Sequence, residues 1–338
     1  MLPGGDYSNK VDAGITADMP AARAGVLILL CLLDTIDAVA PGVLNDIDPE
    51  FLHDLRVSVR RTRSALKLFG DVLAGLAPAE LAFYAAEFKW VGDLTTPTRD
   101  LDVHLLGFAE TARGLSAAQP DDLEPFRAYL QRQRRREFRA LARGLRSPRH
   151  TALTGQWRTT LNAIQRDTAV PASETRTRSG YQGGASGGTA ALLATERTRA
   201  VFVKVTVRGA AIRPDSSHEA LHDLRKRCKE LRYVLEFFAP LHDRAGNAKV
   251  VGDLKRLQDC LGEFQDTAVQ IAEIRSLAQD MLAAREAPAV TLLAMGEVTA
   301  ALAARQRAAR ADFERRFAAF AGPEGQRRMS ALLRGDAA

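Results

Sequence analysis

The feature that most constrains this 338-residue chain is that it carries the same message twice. Residues 52–69, LHDLRVSVRRTRSALKLF, align without a gap on residues 221–238, LHDLRKRCKELRYVLEFF, at an offset of 169. Leu-His-Asp-Leu-Arg recurs intact, followed by Arg60 with Lys229, Arg63 with Arg232, Leu66 with Leu235 and Phe69 with Phe238. A second block, KWVGDLTTPTRDLDV (89–103), aligns on KRLQDCLGEFQDTAV (255–269) at an offset of 166. It matches Lys89 with Lys255, Asp93 with Asp259, Asp100 with Asp266 and Val103 with Val269. Two blocks in the same order at nearly the same offset make the chain a tandem duplication.

The spacing inside the first block places charge on a helix. His53, Arg56, Arg60, Arg63 and Lys67 step by 3, 4, 3 and 4, which keeps them on one stripe. The apolar set Leu52, Leu55, Val59, Leu66 and Phe69 keeps the same rhythm about one residue earlier, so a basic stripe runs beside a core stripe. The second copy repeats this with His222, Arg225, Lys229 and Arg232. Like charges one turn apart repel by about 0.2–0.5 kcal/mol per pair. Such a stripe needs carboxylates from neighbouring helices or an external polyanion.

Composition agrees with helices. Aromatics make up 6% of the residues while Ala, Leu and Arg dominate, which excludes a β-sandwich or barrel. Helices are expected at about 20–39, 50–68, 78–113 with a kink near Pro97, 121–146 and 150–166. A second set is expected at about 191–212, 216–240, 246–283, 289–320 and 324–334. Asp48-Pro49-Glu50 is a helix start, whereas Pro41-Gly42 reads as a stop. The Val201–Val207 run is the one strand-like segment, assigned to helix by its context. Residues 1–19 read as a tether, 20–166 as the first helical half, 167–190 as a Gly/Ser/Thr-rich linker and 191–338 as the second half. The expectation is an all-α fold of two tandem, pseudo-symmetric helical bundles, each a duplicated antiparallel four-helix unit.

The net charge is +6, and of 47 basic residues only eight are lysine. A GC-rich genome produces that bias without function; guanidinium groups matched to phosphate produce it with one. Placement decides. Residues 53–67 hold five cations against one Asp, and QRQRRREFRALARGLR (131–146) adds a second basic segment in which Arg132, Arg136 and Arg139 can contribute.

The twofold H-x-x-R-x-x-x-[RK]-x-x-R-x-x-L-x-x-F pattern, with the later Arg-Asp-Leu-Asp-Val (99–103), resembles the CHAD family (conserved histidine α-helical domain). DPEFLHDLRVSVRRTRSAL is similar to CHAD domains fused behind CYTH domains, and the resemblance spans roughly residues 20–335. It implies a pair of helical bundles around a basic cavity that binds inorganic polyphosphate without turning it over. Carried over by position, it implies His53, Arg56, Arg60 and Arg63, then His222, Arg225, Lys229 and Arg232, with Lys89 and Lys255, as ligands. Two departures stand out: Glu230 where the first copy has Arg61, and Thr95-Thr96-Pro97 in the first copy of the second block. The E-x-E-x-K signature of CYTH domains is absent, so a CYTH-domain protein is expected as a separately encoded partner, and its triphosphatase or cyclase chemistry is not transferred.

The competing class is a nucleic-acid binder. Single-stranded sites normally add stacking platforms, and Tyr233 and Phe138 are the only aromatics within the basic segments. An enzyme would be a metal-dependent phosphohydrolase built on the His-Asp pairs at 53–54, 222–223 and 242–243. The first two pairs lie in register with arginines, which repel a cation; His218 and His222 are the remaining metal-ligand spacing. No phosphate loop or nucleophile constellation occurs, so neither a cofactor nor catalysis is expected. Cys31, Cys228 and Cys260 form no disulfide or zinc pattern. The apolar run 25–33 is shorter than the about 20 residues a bilayer requires. The expected location is the cytoplasm, polyphosphate granules included.

Overall fold

Helix starts follow local chemistry. In α2 (Pro49–Phe69) the Asp48 carboxylate accepts from Glu50 N at 2.7 Å, with Pro49 in the first turn. Ser217 caps α8 (His218–Phe237), and Asp243, one of the His-Asp acids, caps α9 (Arg244–Ala283) by accepting from Gly246 N. A computed structural model describes residues 11–73, 76–169 and 188–335. Within them the remaining helices are α1 (Ala21–Leu44), α3 (Pro78–Leu106), α4 (Phe108–Arg113), α5 (Glu124–Leu145), α6 (Pro148–Ala169), α7 (Ala190–Ala210), α10 (Ala289–Ala321) and α11 (Pro323–Arg334). The fold is all-α; the β pairing among the described residues is one isolated bridge between Pro20 and Thr189. Val201–Val207 is helical within α7.

Several boundaries differ from the sequence reading. Helix α1 does not stop at Pro41 but runs to Leu44, its last turn held by Asn45 N and Nδ2 donating to Pro41 O. Helix α3 runs through Pro97 as the sequence reading has it, but ends before Gly107, and the expected remainder to 113 is the separate helix α4. Residues 11–19, expected as a tether, lie against the core: Ile15 is buried and Met19 O accepts from Ala190 N. The expected linker lies outside the described residues except at its ends, where α6 reaches Ala169 and α7 starts at Ala190. At 24 residues, α1 is long and apolar enough to cross a membrane, so the length argument drawn from residues 25–33 does not hold. Its apolar face is occupied by protein instead: Val26, Ile28, Leu29, Leu32, Leu33, Ile36 and Val39 are buried against neighbouring helices, chiefly α2 and α6.

Helices α1, α2, α3 and α5 pack in succession with α6 returning to α1, and α7, α8, α9 and α10 follow the same succession with α11 against α9 and α10. One continuous core runs through both sets, from Ile15 to Leu332. Phe69 and Phe238, the matched ends of the repeat, meet edge to face with centroids 5.7 Å apart, both fully buried. At the far end a second cluster joins Phe108, Phe126 and Leu130 to Ile274, Met281 and Met295. Glu297 of α10 ties this end together by accepting from Ser116, Ala117 and Ala118 N; these hydrogen bonds pull its pKa down to about 2.

Candidate anion-binding site

The basic stripes meet because α2 crosses α8. At the crossing Arg60 Nε donates to Tyr233 Oη at 2.6 Å. Two ion pairs flank it, Arg61–Glu236 at 2.8 Å and Lys67–Glu230 at 3.0 Å. At the repeat offset, 61 corresponds to 230 and 67 to 236, so the two pairs are the same contact made in opposite directions with the charges exchanged. The Glu230 departure is therefore the partner Lys67 requires.

Beside the crossing lies a cleft of about 560 Å³ between the C-terminal half of α2, one face of α8 and α7. Eight cations line it: Arg60, Arg63, Lys67, Arg197, Lys204, Lys226, Arg227 and Lys229. Only two carboxylates do, Asp223 and Glu230, and both are engaged, Asp223 by Lys226 and Glu230 by Lys67 and Arg227. Arg197 pairs with Asp71 outside the cleft. Arg60, Arg63, Lys204 and Lys229 have no carboxylate partner among the described residues.

The expected ligands divide into three groups. Arg60, Arg63, Lys67 and Lys229 line the cleft. His53, Arg56, His222, Arg225 and Arg232 continue the stripes outside the cleft lining; of these, Arg56 Nη1 donates to Gly92 O, Thr95 Oγ1 and Thr96 Oγ1, Arg225 pairs with Asp266 at 2.8 Å, and Arg232 with Glu236 at 2.6 Å. Lys89 is exposed and paired with Asp93, and Lys255 is exposed on α9. The third group does not join the cleft. Arg132 pairs with Glu286, and Arg136 and Arg139 are exposed on α5, which packs on α3 rather than α2. The basic residue that α5 turns inward is Arg134, held by Asp46 at 2.5 Å and Asp102 at 2.7 Å. Spacing alone did not separate its faces. Arg197, Lys204, Lys226 and Arg227 were missed. The first two lie on a helix outside the aligned blocks, and their seven-residue spacing, two turns of one face, is the signal that marks them.

Burial and mutual repulsion perturb the stripe. Burial first, then Arg225 and Arg60, push the Lys229 pKa down to about 8, with Asp266 opposing. Burial and Arg99 lower that of His53, so its imidazole is predominantly neutral at pH 7. Glu50, His53 and Asp54 bring potential ligand atoms within 4.8 Å of one another and are, among the described residues, the group that could hold a metal, but Arg99 and Arg60 bear on the same site. His218 packs against Phe264 with the rings tilted and their centroids 4.6 Å apart. The aromatics of the basic segments offer no open platform: Tyr233 is buried, and Phe138 lies under the Arg134 guanidinium, 5.3 Å from its centroid.

The family comparison covers most of the chain: the CHAD domain model matches residues 28–275. The crystal structure of the CHAD domain from the plant Ricinus communis superposes with a TM-score of 0.71 at 28% identity, over 92% of this chain and 97% of that one. PptA from Streptomyces chartreusis shares the fold, with a TM-score of 0.59 at 20% identity, over 88% of this chain and 99% of that one. Comparison with curated proteins returns no match. The chain belongs to the CHAD domain family.

Proposed function

We propose that the cleft between α2, α8 and α7 binds inorganic polyphosphate, and that the protein holds this polyanion rather than turning it over. The observation that carries this reading is the set of four cations, Arg60, Arg63, Lys204 and Lys229, gathered in one cleft without carboxylate partners among the described residues. Charge-assisted hydrogen bonds of about 1.5–3 kcal/mol each compensate the mutual repulsion only when an anion is present. A flexible chain with charge on every phosphate suits a cleft with cations on three walls and no base-stacking surface. Polyphosphate granules and a separately encoded CYTH-domain protein are the setting and partner that fit this reading.

The test is calorimetric titration of long-chain polyphosphate into the wild type and into Arg63→Glu with Lys204→Glu. These two residues have no ion pair among the described residues to lose, so helicity should stay unchanged while affinity falls by about 100-fold. The wild-type affinity should also weaken steeply with salt as counterions are released. Unchanged binding in the double variant overturns the assignment of the cleft. Displacement of polyphosphate by single-stranded DNA at equal phosphate concentration makes nucleic acid the ligand, and phosphate release with Mg²⁺ or Mn²⁺ makes the protein an enzyme.

A further inference from the structure

The duplicated stripes differ in what their donors already have. In the first copy, Arg56 Nη1 has three acceptors on α3, namely Gly92 O at 3.4 Å, Thr95 Oγ1 at 3.0 Å and Thr96 Oγ1 at 2.8 Å, and Arg60 Nε has Tyr233 Oη. In the second copy the positions matched to Thr95 and Thr96 are Leu261 and Gly262, so both hydroxyls are missing. Arg225 keeps one bond, from Nη2 to Asp266, and its Nε is buried without an acceptor. One turn earlier His222 Nδ1 is also buried and unpaired, and one turn later Lys229 has neither a hydrogen bond nor an ion pair among the described residues. On α9, one turn before Gly262, the buried Gln258 Nε2 lacks an acceptor too. A Cβ at Gly262 would meet nothing closer than Asp266 Oδ2 at 3.8 Å and Arg225 Nε at 4.0 Å, so there is room beside the unpaired Nε.

Buried polar groups left unpaired are costly, and Arg225 Nε, beside the room at Gly262 and on the same helix face as His222 and Lys229, is a donor open to an acceptor-rich group. We infer that the two stripes are unequal in binding: His222, Arg225 and Lys229, opened by Gly262, form the primary seat for one phosphate oxyanion, whereas in the first stripe Arg56 and Arg60 already have acceptors in the fold and Arg63 is the cation left open to the ligand. The inference rests on the polyphosphate reading and adds which half grips the ligand. Asp266, exposed at its carboxylate, is the counter-ion that the oxyanion displaces from Arg225.

The experiment titrates tripolyphosphate and long-chain polyphosphate into the full chain, with folding checked by circular dichroism and thermal melting. Gly262→Thr restores the first copy's side chain and should weaken binding about tenfold, whereas Gly262→Ala should change it less than about threefold. Lys229→Met should also cost about tenfold or more, and Arg56→Gln should cost less than either while lowering the melting temperature. A wild type that binds neither ligand removes the polyphosphate reading itself. A wild type that binds, with Gly262→Thr unaffected or with Arg56→Gln as damaging as Lys229→Met, overturns the inequality alone.

Discussion

At Lys229 the fold holds an ammonium where burial, Arg225 and Arg232 on α8 and Arg60 on α2 all oppose its charge, and only Asp266 on α9 favours it. Its pKa of about 8, against an ordinary 10.5, means that a polyanion arriving at higher pH must bring a proton with it. Lys229 is the group of this cluster whose proton is held near neutral pH, so it sets the dependence. Between about pH 8 and pH 10 affinity should fall by up to tenfold per pH unit, measurable as proton uptake in buffers of different ionisation enthalpy. Lys229→Arg should flatten that slope, and an affinity equal at about pH 7 and about pH 9 would contradict the argument. The stripe containing Lys229 was legible because 3,4 spacing is a property of one helix. The depressed pKa was not, because burial, its largest cause, and Arg60, 169 residues away in sequence, both arise only from tertiary packing.

Helices were legible where their ends carry their own chemistry. Asp48, Ser217 and Asp243 cap the helices they precede, and those starts lie within two residues of the sequence reading. Pro41 misled, because tertiary packing carries α1 past it to Leu44. Which face of an arginine-rich helix turns inward was also illegible, as α5 shows: the inward residue, Arg134, is fixed by Asp46 in the turn between α1 and α2 and by Asp102 of α3. Close approach between elements can be tested at Gly25 of α1. A Cβ there would stand 2.8 Å from the ring of Phe69 on α2, which is fully buried and has nowhere to swing. Gly25→Ala should gain helix propensity yet destabilise by about 1–2 kcal/mol net, read as a lower melting temperature.

For the molecule as a whole, the uninterrupted core that includes Phe69 and Phe238 predicts a single unfolding transition in urea, with circular dichroism and tryptophan fluorescence coinciding. Two separated transitions would show that the halves hold together independently. The duplication announced that two similar units exist, but not that α2 and α8 cross with matched residues in contact, since no local pattern encodes that meeting. The crossing pairs Arg61–Glu236 and Lys67–Glu230 have a consequence for how the halves can combine. Two copies of the first half joined through this geometry would set Arg61 against Lys67, and two copies of the second would set Glu230 against Glu236. Each combination repels itself, and only the mixed one is neutral. With these charges neither half carries a stripe that could pair with a copy of itself, so the crossing requires both halves of the chain together.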